Sequence, residues 1–269
     1  MNSVTSVAGA EALVHQLLSS GQFVITTAQA ATALGIPADH VRVRFANLVR
    51  KRRLFAPAKG LWMAVPPHYG EWGAPPALEF IDPLMNFLER DYYVGWLSAA
   101  ELHGAAHHRP QVLQVAVNKR TLDRHFGRST VNFTQRVQVV DLPRVQRNVP
   151  TGRVWIASVE LTILDVVDDS AMAGGVGNAA TVVSELFAEH HVDVDALVDV
   201  ASRCGLPTQR RLGFALDRVG ATEYAERIHV LTESRRHFPI DRLSLTVSQG
   251  GVIDERWRLL VNDVVEIES

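Results

Sequence analysis

The stretch Thr26-Thr27-Ala28-Gln29-Ala30-Ala31-Thr32-Ala33-Leu34-Gly35-Ile36-Pro37, followed by the basic run His40–Arg53 and the segment Leu54–Val65, decides the fold of the N-terminal part. A Thr before an alanine-rich run is a helix cap, and Gly35 supplies a helix stop. Pro37 suits the first position of a following helix, where its missing N–H removes no bond. Within that third helix Val41, Phe45, Leu48 and Arg52 recur at i, i+4, i+7 and i+11, so the first three form an inward stripe. Arg52 lies in line with that stripe, where its stem can snorkel along the apolar face. Asp39, Val43, Asn47 and Arg50 fall on the opposite side, flanked by Arg42 and Arg53 on one edge and His40, Arg44 and Lys51 on the other. Leu54-Phe55-Ala56 and Leu61–Val65 are two short strands around a Pro57-Ala58-Lys59-Gly60 turn, with Lys59 at its tip.

Upstream, Leu13, Val14, Leu17 and Leu18 give a further helix over residues 9–20, stopped at Gly21. Helix, helix, turn, helix and ribbon is the plan of a winged helix-turn-helix. Its recognition helix enters the DNA major groove while phosphate contacts fix the register. Residues 37–60 carry seven Lys/Arg against the single acid Asp39. A winged helix used only to bind protein has no need of such a potential. Arg and Asn are the side chains that pair bidentately with guanine and adenine. The expected DNA-binding residues are therefore His40, Arg42, Arg44, Asn47, Arg50, Lys51, Arg53 and Lys59. Asn47, Arg50 and Arg42 stand as the readers of bases; Lys51, Arg53 and Lys59 are phosphate or minor-groove contacts.

The chain has 269 residues, a length that fits one large or two ordinary domains. Residues 66–83 hold five of the twelve prolines, the mark of a stiff linker. The expected organisation is a winged helix-turn-helix over 1–66, a proline-rich linker over 67–82, and a regulatory domain over 83–269. In that last part a helix starts at Asp82-Pro83 and another covers 94–104. Strands are expected at 112–117, 131–133, 137–140 and 154–156. Helices then run from Val159 to about Glu233, broken at Gly174-Gly175-Val176-Gly177, His190-His191, Gly205-Leu206-Pro207 and Gly220, and a ribbon (243–247 and 257–267) closes the chain. The fold class is α+β: a small sheet with a helical subdomain.

A net charge of -2 conceals a partition. Residues 107–153 carry nine Lys/Arg against Asp123 and Asp141, whereas residues 160–199 carry nine Asp/Glu and no Lys or Arg. Such blocks can hold an anionic partner on one side and a basic partner on another, or be solvated faces. No apolar run approaches the ~20 residues that span a bilayer, and the N-terminus lacks the basic and apolar regions of a signal peptide. A single cysteine, Cys204, excludes an intrachain disulfide and fits the reducing cytoplasm.

Catalytic and metal-binding patterns are weak. His103 and His107 are spaced i, i+4, but Gly104 stands where a metalloprotease needs Glu. Gly174-Gly175-Val176-Gly177 lacks the Lys-Ser/Thr ending of a phosphate loop. Asp165, Asp168 and Asp169 have no lysine nearby to complete a nuclease centre. No catalytic group, metal or cofactor is expected, although an enzyme acting on nucleic acid, targeted by the winged helix, is the alternative.

Several stretches together resemble the AbiEi family of antitoxin transcription regulators. They are Gly60–Pro67, the run Tyr92-Tyr93-Val94-Gly95-Trp96-Leu97-Ser98 through His103 to His107, Pro110-Gln111 with Val115–Val117, Val159–Asp165, Gly174-Gly175, and Gln209-Arg210-Arg211-Leu212-Gly213-Phe214. The resemblance implies an autorepressor that binds inverted repeats in double-stranded DNA upstream of its own operon. It also implies a cognate toxin, nucleotidyltransferase-like, in a type IV toxin–antitoxin system, and no catalytic site. It assigns no base-reading residue; those rest on helix geometry.

Overall fold

The computed structural model describes residues 9–105, 111–233, 235, 237–248 and 250–266. It is a mixed α+β fold with several sheets. By internal packing the chain divides into two units. One gathers the residues up to Tyr92, Gln111–Val137 and Gln146–Trp155; the other gathers the stretch from Tyr93, Gln138–Val145 and the residues from Ile156 onward.

The first unit begins with α1 (Ala10–Ser19), β1 (Val24–Thr26), α2 (Thr27–Leu34), α3 (Val41–Arg50), β2 (Leu54–Ala58) and β3 (Leu61–Ala64). The strands form an antiparallel sheet in the order β1-β3-β2. Thr26 caps α2 through its hydroxyl, which accepts from the Gln29 N–H, while the Gln29 side chain accepts from the Thr26 N–H, so two orphan donors are satisfied reciprocally. Gly35 ends α2 with φ 64°, a left-handed conformation that glycine adopts without strain. Leu13, Val14, Leu17, Ile25, Ala30, Ala33, Val41, Phe45, Leu48, Leu54 and Trp62 close one core. Within it the Trp62 ring meets Phe45 edge-on at 5.1 Å and its indole N–H donates to Thr27 Oγ1 at 2.9 Å.

Two expectations for this region need correcting. Pro37 precedes a short 3-10 turn, Ala38–His40, rather than opening the third helix. The helix also ends at Arg50 instead of Arg53. Its end is a Schellman arrangement, with Arg52 N–H bonded to Val49 O and Arg53 N–H to Leu48 O. Arg52 takes the left-handed position with φ 54°, so it has left the helix and its core stripe.

The stretch expected as a linker is built into the same unit. It holds a 3-10 turn at Pro67–Tyr69 and the first half of α4 (Ala77–Phe87). The helix was expected to start at Asp82-Pro83, yet Pro83 lies inside it. A mid-helix proline strips the carbonyl four residues earlier of its partner. Here that carbonyl, Glu79 O, accepts from the Thr151 hydroxyl, and the freed acceptor is satisfied by a residue far along the chain.

A six-stranded sheet follows, built from β4 (Tyr92–Val94), β5 (Val112–Val117), β6 (Arg124–Phe126), β7 (Ser129–Gln135), β8 (Arg144–Val149) and β9 (Gly152–Ala157), in the order β6-β7-β5-β4-β9-β8. β5 and β7 are parallel and in register from Val112↔Thr130 to Val117↔Gln135. Residues 137–140, expected as a strand, are turn. Phe126 of β6 packs on Phe80 of α4 at 5.0 Å and on Phe55 of β2 at 6.2 Å, and Phe55 meets Phe80 at 5.2 Å. This triad joins the ribbon β2–β3, α4 and the β6–β7 hairpin.

The second unit is mainly helical. After α5 (Trp96–Leu102) come α6 (Val159–Asp168), α7 (Val176–Glu189), α8 (Val194–Ser202), α9 (Leu206–Arg218) and α10 (Thr222–Glu233). Their breaks fall near the expected places, at Gly174-Gly175, His190-His191, Gly205 and Gly220, but Val176 and Gly177 already belong to α7 and Leu206 and Pro207 to α9. The C-terminal ribbon differs from the expected one: residues 243–247 are not strand, and the sheet is instead β10 (Asp241–Arg242), β11 (Val252–Asp254) and β12 (Leu259–Val261) in the order β10-β12-β11, of which β12 lies in the expected stretch 257–267. Gly213 of α9 lies under the Trp257 indole so closely that a Cβ would overlap it.

Candidate nucleic-acid interface

α3 presents two chemically opposite faces. Val41, Phe45 and Leu48 are at most 1% exposed and join the core of the first unit. His40, Arg42, Val43, Arg44, Ala46, Asn47 and Arg50 are exposed. The difference follows directly from 3.6 residues per turn, since each apolar residue of the stripe falls on the α1 and β3 side.

The eight expected residues do not form one cluster. Arg42, Arg44, Asn47 and Arg50 share α3, with His40 in the 3-10 turn just before it. Arg50 Nη2 donates to Asn47 Oδ1 at 2.7 Å, so these two are one bonded pair. The Asn47 carbonyl oxygen keeps a second lone pair, and its amide N–H groups remain directed by that bond.

Lys51 and Arg53 stand at the other end of the helix, where both face Glu11 of α1, at 3.5 and 3.9 Å. These are exposed pairs, worth about 0–1 kcal/mol and weakened by salt, so a phosphate can replace Glu11 at little cost. Nothing in the sequence spacing announced Glu11 as their partner. Lys59 is exposed in the turn of the ribbon, at its opposite end from the Leu54↔Ala64 pairing that follows Arg53. Gly60 O accepts the Thr27 N–H at 2.8 Å, which anchors that turn to the start of α2. Pro57 O accepts from Arg124 Nη1 at 2.7 Å, so one cation of the second basic block supports the ribbon. Lys119, Arg120, Arg128, Arg147 and Arg153 of that block are exposed.

Arg52 does not lie on the apolar face. Its guanidinium donates to Glu71 O at 2.7 Å and its stem runs past Gly73. It ties the end of α3 to the segment Glu71–Gly73.

The second unit uses its acids internally. Asp165 is fully buried and accepts from the Tyr93 hydroxyl at 3.3 Å. Asp168 accepts from Thr208 Oγ1 at 2.5 Å. Asp193 caps α8 through Asp195 N–H and Ala196 N–H. Asp195 pairs with Arg227 at 2.5 Å and Asp199 with Arg203 at 2.7 Å. His103 has its Nε2 on Ala157 O at 2.9 Å, and the His103 carbonyl contacts His190 Nε2 at 2.6 Å. His107, its expected companion in a metal pair, lies outside the described residues. Among the described residues no helix is long and apolar enough to cross a membrane.

Residues 93–218 match the family described as AbiEi antitoxin C-terminal domain. The crystal structure of the RV2827C protein from Mycobacterium tuberculosis is similar over 96% of this chain and 95% of that one, with a TM-score of 0.68 and 20% identity. At that identity the likeness speaks for the fold. No curated protein matches the chain.

Proposed function

We propose that this chain is the antitoxin of a toxin–antitoxin pair and the DNA-binding repressor of its own operon, a reading supported by the match of residues 93–218 to the family described as AbiEi antitoxin C-terminal domain. In this reading residues 9–66 are a winged helix-turn-helix. The order α1, α2, α3, β2, β3, the tight turn at Gly35 and the antiparallel ribbon support it. The observation that carries it is the two-faced α3, with Arg42, Arg44, Asn47 and Arg50 exposed opposite a buried Val41, Phe45 and Leu48. The Asn47–Arg50 pair and Arg42 address base edges; His40 and Arg44 flank them; Lys51, Arg53 and Lys59 hold phosphates. The operator is an inverted repeat. The cognate toxin is a nucleotidyltransferase-like protein, and the system is type IV.

The test is a gel-shift series on the region upstream of the gene, with Arg42→Glu and Arg50→Glu combined. Each Arg-to-guanine contact is worth about 1–3 kcal/mol, so binding falls by ~100-fold or more while the melting temperature holds. Wild-type affinity in the double variant would remove α3 from the interface. The antitoxin role is read by growth rescue on co-expression with the product of the adjacent gene. Asp193, Asp195 and Asp199 are poor choices for mapping a toxin contact, since each already serves α8 or an ion pair of its own unit.

A further inference from the structure

The outward row of α3 contains one residue that none of the polar chemistry uses. Val43 is 77% exposed. At 3.6 residues per turn it lies within about 20° of Arg50 and about 40° of Asn47, almost opposite the core stripe. Its immediate neighbours in sequence are Arg42 and Arg44. A β-branched residue is a poor helix former, and here it gains no burial to compensate. It is also the third residue of α3, in the N-terminal half from which a recognition helix reaches base edges. The major groove shows one apolar feature to such a side chain, the 5-methyl group of thymine.

We propose that Val43 reads the 5-methyl group of a thymine next to the base addressed by the Asn47–Arg50 pair. This rests on the DNA-reading role of α3 and adds to it a base and a group. The isopropyl group covers the methyl and removes it from water, while Arg50, oriented by Asn47, supplies the polar half of the readout. Recognition is then mixed: one apolar contact and one charged contact along a single helical face.

The experiment begins with duplexes selected by the wild-type protein from a random library. These are resynthesised with deoxyuridine for thymidine, one position at a time. At one thymine the change lowers wild-type affinity about fourfold, the worth of one buried methyl group. Val43→Ala lowers affinity for the thymine duplex by a similar factor and no longer distinguishes thymine from uracil there, whereas Val43→Ile keeps the distinction. Thermal melts of both variants match wild type, because the position is exposed. If wild type binds its selected sequence with no sensitivity to uracil, or if Val43→Ala still discriminates, the inference is overturned and the DNA-reading role stands. If wild type selects no sequence, both fall.

Discussion

α3 and α9 both carry arginines close together in sequence, and the two helices treat them in opposite ways. Arg42, Arg44 and Arg50 of α3 are exposed, and the side-chain bond made by Arg50 is to its neighbour Asn47. Arg210 of α9 is 1% exposed, with hydrogen bonds to Pro239 O at 2.7 Å, Asp241 Oδ2 at 2.7 Å and Arg235 O at 3.4 Å. Arg211 beside it is 7% exposed and donates to Arg242 O. Burial holds its guanidinium below the usual arginine range, partly offset by Asp168 and Asp241. A basic residue is thus a surface for a partner only where the fold leaves its donors unclaimed. On α9 the carbonyls of Arg235, Pro239 and Arg242 and the carboxylate of Asp241 claim them, and the arginines hold these residues to the helix.

The sharpest way to break this contrast is to remove an arginine from each helix. Arg210→Ala leaves Asp241 and two carbonyls without their donor; loss of one member of a fully buried pair costs about 3–5 kcal/mol, and the cost here is at the lower end because the Asp241 side chain is 25% exposed. Chemical denaturation reads that loss directly; an unchanged midpoint would mean that Arg210 is dispensable to the fold. Arg50→Ala makes the opposite trade. Its melting temperature stays put, while operator binding falls by roughly tenfold or more, from the loss of one bidentate contact worth about 1–3 kcal/mol. A fall in stability of the same size as for Arg210→Ala would erase the distinction between the helices.

Smaller effects test the ends of the interface. Lys51→Ala lowers the slope of log affinity against log salt by about 0.9, the contribution of one phosphate, and weakens all sequences alike. A slope identical to wild type places Lys51 outside the contact. The smallest effect concerns Tyr69 in the segment behind α3. Its hydroxyl donates to Glu79 at 2.6 Å. That bond, then burial, then the repulsion of the Glu79 charge push its pKa up to about 12. A raised phenol favours the neutral form in the folded state, so the stabilisation is complete below pH ~10 and disappears as pH rises through about 12. Tyr69→Phe should therefore flatten the decline in melting temperature between those values; an equal decline in both proteins would show that the bond does not contribute.

Helices α1 and α2, the caps of α2 and the inward stripe of α3 were legible from apolar spacing, Thr26 and Gly35, because these are local signals. The same holds for the helical tail from Val159 to Glu233, where glycines mark every break but the one at His190-His191. What was not legible depends on distant residues. The proline inside α4 is tolerated because Thr151 satisfies Glu79 O. β8, with sequence Arg-Val-Gln-Arg-Asn-Val, is largely exposed and has no buried face to impose alternation. The three locations of the expected cations follow from Glu11 and from the Thr27–Gly60 bond. Charge alone leaves the acidic block as a partner surface or a solvated face; the bonds of Asp165, Asp168, Asp193, Asp195 and Asp199 within their unit depend on residues distant in sequence or on local caps.

The aromatic triad Phe55–Phe80–Phe126 gives the ribbon a property that an isolated hairpin lacks. Two strands alone are marginally stable in water, so such a ribbon would have to be ordered by its target. With β3 paired to β1, and with β2 clasped between α4 and the β6–β7 hairpin, the ribbon's shape is settled when the chain folds. A duplex that meets Lys59 then meets a stiff edge, and little conformational freedom remains to be lost on contact. Replacing Phe126 by alanine would loosen that clasp, and in the proposed complex the added entropic burden would be felt in association.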